Sequence, residues 1–230
     1  MQSRITLKKA ISYTVLILFI PAVIVLGNVI FKGKQYAFIS LAVTLLSCIP
    51  FFLSFEKREQ NTTKLILIAV MTAISVVGRL LFYVLPGFKP VTAMVIITAM
   101  YFGSEAGFMT GALTAVISNF YFGQGPWTPF QMFTWGLIGL LAGLMTERLK
   151  KSKITLSIFG AVSGVIFSLL MDIWTVFWWD ETFNIARYGA VLVSSLGYTV
   201  LYAVSNVIFL LILAKPIGTK LERIKDKYGI

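Results

Sequence analysis

The chain has 230 residues, 58% of them hydrophobic and 13% charged, with a mean hydropathy of +0.87. A soluble domain is about 45–50% apolar and about 25% charged, so one water-soluble core cannot hide this much apolar surface, and the composition reads as an integral membrane protein. The net charge of +11 is then a topological signal rather than a mark of nucleic-acid binding, because cytoplasmic loops of membrane proteins collect Lys and Arg.

A bilayer core of about 30 Å takes a helix of about 20 residues. Eight stretches qualify or come close: 11–31, 36–55, 64–86, 89–103, 105–122, 127–146, 154–179 and 188–214. The expected fold class is an all-α integral membrane protein with about eight transmembrane helices; the alternating pattern of an outer-membrane barrel is not seen. Arg4, Lys8 and Lys9 give the first stretch a basic start. Its apolar run is longer than the core of a signal peptide and lacks a small-x-small end, so a retained helix is expected. The first two stretches are featureless runs of Leu, Ile, Val and Phe. The basic linker Glu56–Lys64 follows, and most polar and Gly-rich features lie beyond it. The chain thus divides into two N-terminal spans with their linker (1–60), a six-helix core (61–216) and a basic tail (217–230). The short stretches 89–103 and 105–122 are joined by Gly103–Gly107 and read as a tight re-turn; the alternative merges them into one broken span.

Orientation follows from the basic residues. With the N-terminus inside, fifteen of the twenty Lys and Arg residues fall on cytoplasmic segments. Lys32, Lys34, Lys89 and Arg187 fall outside, and Arg79 lies within a helix. This bias places both termini in the cytoplasm and requires an even number of spans. Merging the two short stretches would put the 148–153 basic cluster outside, which counts against the merger.

Ionisable groups inside hydrocarbon cost several kcal/mol unless paired or in a cavity, so each is a functional candidate. Arg79 and Asp172 each stand seven residues before the outer end of their span, about 10 Å below the surface at about 1.5 Å per residue. Equal depth makes an ion pair between them feasible, either as a packing bridge or as the floor of an outward-facing pocket.

The outer loops are rich in rings. Gly123, Gly125 and Pro126 break the helix before Trp127. Trp127, Gln131 and Trp135 then share one helical face, as do Trp174 and Trp178. All five tryptophans lie on or near the outer half. An interfacial belt would place some at the inner face too. Rings mixed with Asn119, Gln124, Gln131 and Asn184 suit a ligand pocket, with flat apolar walls and a few polar groups.

Small residues recur four apart at Ala69 and Ala73, at Gly107, Gly111 and Ala115, and at Gly139 and Gly143. Such spacing brings helix backbones close, within the bundle or against another membrane protein. Other chemistry is missing. The chain has no histidine and a single cysteine, Cys48, so His-based nucleophilic and metal sites, an internal disulfide and a Cys-rich zinc site are excluded. No G-x-x-x-x-G-K-[ST] phosphate loop is present, so ATP is not hydrolysed by that route. No cofactor and no enzyme activity are expected.

The segment from about Lys64 to Pro216 resembles the substrate-binding S components of energy-coupling factor (ECF) transporters. Ala69-x-x-x-Ala73 matches their Ala-x-x-x-Ala patch. The stretches Phe88-Lys89-Pro90-Val91-Thr92-Ala93, Phe102-Gly103-Ser104-Glu105-Ala106-Gly107-Phe108 and Ser118 to Pro129 carry the rest, the last being the most specific. The two extra N-terminal helices depart from the usual six-helix pattern. The resemblance implies a protein of a prokaryotic plasma membrane that binds a vitamin at its outer face. It further implies docking through Ala69 and Ala73 on a membrane T component, which carries two cytoplasmic ATPases, and toppling to release the vitamin inside. Loops 84–89, 121–129 and 179–188 would gate or line the pocket. The Gly-Gln-Gly-Pro-Trp-Thr-Pro loop resembles S components for cobalamin and related corrinoids, so a corrinoid is the favoured vitamin, with riboflavin and others open. Substrate-binding residues are then expected among Arg79, Asn119, Gln124, Trp127, Gln131, Trp135, Asp172, Trp174, Trp178 and Asn184. The competing reading is a secondary transporter or small channel that needs no ATPase; a membrane enzyme or assembly factor is a third.

Overall fold

The computed structural model describes residues 62–125, 127–180 and 183–229, together with Thr14, Leu18, Phe19, Ala22, Leu26 and Leu46. Apart from those isolated positions, the spans expected at 11–31 and 36–55 lie outside the described residues. From residue 62 the chain forms α1 (Thr62–Leu81), α2 (Val91–Phe102), α3 (Ser104–Phe122), α4 (Thr128–Leu144), α5 (Thr146–Lys151), α6 (Lys153–Asp180) and α7 (Ile185–Tyr228). No strand occurs among the described residues. Among the described residues, three helices, α1, α6 and α7, are long and apolar enough to cross a membrane, while α2 and α4 are apolar but shorter. The short α5 was not expected; it carries the basic cluster Arg148, Lys150 and Lys151.

The helix α2 is the centre of the bundle. Its sequence is apolar on every side, and all of its residues except Tyr101 are buried. A helix without a polar face belongs inside. It packs on α1, α3, α4 and α7. Its end is set by Gly103, which adopts φ +90°, a conformation open to glycine and strained for other residues. The chain folds back there. A Cβ on Gly107 would stand 2.4 Å from Cβ of Ala99, whereas eight residues along a continuous helix span about 12 Å. The two short stretches are therefore separate helices.

The glycine spacing holds α3 against α4. A Cβ on Gly139 would lie 2.3 Å from the carbonyl carbon of Gly107, so neither position has room for a side chain. This part of the small-residue pattern packs within the bundle. Ala69 and Ala73, by contrast, remain exposed on α1.

A line of polar contacts joins α6 to α7. The Asn206 amide donates to the Gly160 carbonyl at 3.1 Å, Ser168 and Thr199 share a hydrogen bond at 2.7 Å, and Ser195 donates to Asp172 at 2.6 Å. At the connection between these helices, Arg187 grips Asp180 through Nε at 3.0 Å. The helix α7 does not stop near residue 214, as its sequence suggested, but runs through Pro216 to Tyr228. Packing explains the continuation. Leu221 is buried, and at Gly218 the Tyr101 hydroxyl sits where a Cβ would be.

Candidate functional site

A cavity of about 280 Å³ opens at the end of the bundle where α2 begins. Five helices and one loop build its wall: Arg79 from α1, Gly87 and Lys89 from the loop, Val91 and Thr92 from α2, Gln131 and Trp135 from α4, Phe167 and Met171 from α6, and Tyr202 and Asn206 from α7. Two cations face it, and no carboxylate is among these lining residues.

Arg79 is buried and held in a fixed pose. One terminal nitrogen donates to Ser118 Oγ and to Asn119 Oδ1, the latter at 2.9 Å. The guanidinium lies over the rings of Phe122, at 4.5 Å, and Trp135, at 5.2 Å, a placement favoured by the negative faces of aromatic rings. Its Nε has no hydrogen-bond partner among the described residues, and a buried unmet donor is costly.

Asn119 passes the order onward. Its amide nitrogen donates to Thr128 Oγ1 at 2.9 Å and to Gln131 Oε1 at 2.8 Å. Thr128 donates to Gln124 Oε1 at 3.0 Å, and the Gln124 amide donates to the Val116 carbonyl at 2.7 Å. The network thus ties the turn after α3 to the cation on α1.

Lys89 stands in the loop before α2, with its backbone N–H bonded to Ser205 Oγ at 3.0 Å and its ammonium 5.3 Å from the centre of the Phe122 ring. Burial, and secondarily the Arg79 charge, lower its pKa from the usual lysine value. Trp135 stacks on Phe167 with centroids 5.1 Å apart and an angle of 22°, and Tyr202 meets Phe167 edge-on at 5.2 Å. The far wall of the cavity is therefore flat and aromatic.

Of the residues expected from the sequence, Arg79, Gln131 and Trp135 line the cavity, and Asn119 stands directly behind them. The others do different work. Gln124 braces the turn through Val116 and Thr128. Trp127 folds over Gly125, leaving no room there for a Cβ. Trp174 packs between Phe130 and Trp178. Asn184 caps α7, its side chain accepting from the N–H groups of Ala186 and Arg187.

The Arg79–Asp172 pair that equal depth made feasible is not formed. Asp172 accepts from Ser195 on α7 and joins the α6–α7 contact line, whereas Arg79 turns toward α3. Equal depth on two helices does not fix the direction in which the side chains point. Lys89 was anticipated only as part of the loop 84–89, and Tyr202 and Asn206 were missed. Tyr202 and Asn206 are four apart on one helical face, a pairing of ring and amide within an apolar span that the sequence does display.

A cavity walled by stacked rings, an anchored guanidinium and a lysine, at one end of an apolar helical bundle, fits a membrane solute-binding protein. The family model described as the ECF-type riboflavin transporter S component matches residues 59–223. The chain belongs to this family: it is a vitamin-type substrate-binding membrane component of ECF transporters, a transporter part rather than an enzyme. No curated protein and no solved structure matches the chain.

Proposed function

We propose that the protein captures riboflavin, or a closely similar flat heteroaromatic vitamin, in the cavity between Arg79, Lys89, Trp135 and Tyr202. The observation that carries this reading is the pairing of a flat aromatic wall with two cations in a space of about 280 Å³. A tricyclic ring system has faces to stack on the rings and an acceptor-rich edge to receive N–H donors. Pockets for drug-sized ligands run from about 300 to 1,000 Å³, so this cavity is at the small end of that range. A corrinoid, the vitamin favoured by the outer-loop sequence, is far larger than the cavity. The family's riboflavin description points the same way.

The cavity end of the bundle is taken as the outer face. The basic residues support this, because Lys64 at the start of α1 and the α5 cluster lie at the opposite end from Arg79. Release inward would require partners of the ECF type, a membrane T component and two ATPases. The surface proposed to meet the T component is the shallow apolar groove of Ala69, Ala73, Val76, Val77, Leu113 and Ile117 on α1 and α3. Small residues there allow a partner helix to approach closely.

The test is a fluorescence titration of riboflavin into the purified chain, with a corrinoid as competitor. Saturable quenching that a corrinoid does not reverse supports the reading. Uptake assays separate ATP-driven from ion-driven import: accumulation that persists with an ion gradient after ATP depletion would sink the ECF mechanism.

A further inference from the structure

Two rows of hydroxyls meet between α1 and α3. On α1, Thr72 and Ser75 stand in line with Arg79; on α3, Thr110, Thr114 and Ser118 recur every four residues. Each row is one face of its helix. All six side chains are more than nine-tenths buried. The two helices run in parallel. Arg79 meets Ser118 and Asn119 near the vitamin cavity, while Lys64 of α1 and Gly103, where α3 begins, line one space at the other end. The Arg79–Ser118 contact spans 39 positions, and that offset sets the register. It places Ser75 level with Thr114, and Thr72 within one residue of Thr110. Thr72, Ala73 and Val76 also share a groove with Leu113 and Ile117, so the helices face each other along this stretch.

These hydroxyls are unmet. The side chains of Thr72, Ser75, Thr110 and Thr114 have no hydrogen-bond partner among the described residues, and the Arg79 Nε–H lacks an acceptor. Thr134 on α4 is the one other buried hydroxyl in that state among the described residues, so four of the five gather in this seam. A helical Ser or Thr has an easy alternative, the carbonyl four residues back. Thr98, Ser163 and Thr175 take it, bonding to Met94, Phe159 and Met171. The four seam hydroxyls do not.

We propose that the α1–α3 seam is a hydration site, in which buried water bridges Ser75 and Thr114 and accepts from the Nε–H of Arg79. The donor set suits water. Each hydroxyl can donate or accept, while a guanidinium N–H can only donate. A helical side chain leans over the turn before it, which carries the stem of Arg79 toward Ser75. Water at that level has three partners, within the range of about 2–4 that holds buried waters in place. A second water between Thr72 and Thr110 extends the chain about one turn inward. A metal cation is disfavoured there, because the guanidinium is adjacent and neither row carries a carboxylate. None of the four hydroxyls lines the vitamin cavity. The water acts on that cavity through Arg79, fixing the guanidinium from behind as Ser118 and Asn119 fix its tip.

A high-resolution density map of the full chain tests the site. A water peak between Ser75 and Thr114 is expected, lost in T114V and kept in T114S. A parent map without that peak would overturn the proposal. So would anomalous scattering at the peak after exchange into bromide, which would make it a halide site. Melting temperatures give a second reading. Were the hydroxyls dry, T114V would remove an unmet group and raise the melting temperature. With water bridging them, T114V should lower it by about 2–4 °C or more, and T114S should restore it. The double variant S75A/T114V should melt close to T114V, because one lost partner already breaks the bridge. A rise in T114V, or additive losses in the double variant, would overturn the proposal; S75A carries the same expectations if T114V does not fold. The action on the cavity rests on the vitamin reading: T114V should weaken riboflavin binding severalfold, and T114S should recover it. Unchanged affinity in T114V would overturn that positioning role. A parent chain that never binds riboflavin would fail the vitamin reading alone, and the map and melts would still decide the water site.

Discussion

Arg79 on α1 donates to the amide oxygen of Asn119 on α3 at 2.9 Å, and that bond couples the cavity's buried cation to the network bracing the turn after α3. The guanidinium is thus oriented before any ligand arrives, which lowers the ordering cost of binding. We predict that N119L, which leaves Arg79, Thr128 and Gln131 short of a partner, lowers stability by about 1–3 kcal/mol. Thermal melts with and without riboflavin would check this, and the ligand-induced shift should shrink as well. An unchanged melting temperature would mean that the network is not structural.

Lys89 gives the site a pH dependence. Because burial and Arg79 lower its pKa, the cation is complete below that lowered value and is lost as pH rises through it. Affinity for an acceptor-rich ligand should therefore decline at a lower pH than an ordinary lysine would allow. K89Q should bind more weakly at neutral pH and lack this part of the slope. Titrations of both proteins across the alkaline range test the sign.

Trp135 packs in the bundle and lines the cavity proposed to bind the vitamin. Its stacked contact with Phe167 is kept by a smaller ring, so W135F should fold and bind within about tenfold of the parent. W135A should lose binding and also destabilise the bundle, since truncating a buried aromatic costs about 3–5 kcal/mol. Comparing affinity with melting temperature in the two variants separates the contributions.

The close approach of α3 and α4 makes a sharp prediction. G139A places a methyl 2.3 Å from Gly107 backbone and should destabilise by about 1–3 kcal/mol or more. G189A, where a Cβ would meet nothing within 4 Å, should be tolerated. Melting temperatures in detergent decide between them.

The exposed alanines on α1 line the groove proposed for docking. A69W fills the apolar groove without touching the vitamin cavity. Riboflavin affinity should hold while co-purification with a T component and uptake are lost. Normal uptake in this variant would remove the docking assignment.

Much of the fold was legible because hydrophobic run length reports directly on helices in lipid. Gly103 marked the break between α2 and α3, and the four-residue glycine spacing pointed to a close helix approach, though only the structure pairs α3 with α4. The end of α7 was not legible, because Pro216 reads as a stop until Tyr101 is seen resting on Gly218. At the site, Arg79 and Trp135 were visible as an isolated charge and a ring on a polar face. The direction of Arg79 was not, since span depth carries no information about which neighbouring helix a side chain meets. Lys89 looked like an ordinary loop cation because its burial arises only when α1, α3 and α7 assemble around it.

Equilibrium titration of riboflavin into the purified wild-type chain, repeated with R79M, asks directly whether this cavity captures the vitamin. One saturable site is expected in the wild type, and an excess of corrinoid should not displace it. In R79M affinity should fall about tenfold to a hundredfold, as expected for losing charged hydrogen bonds. A wild-type protein that ignores riboflavin but binds a corrinoid, or an R79M variant that binds riboflavin as tightly as the parent, would contradict capture in this cavity.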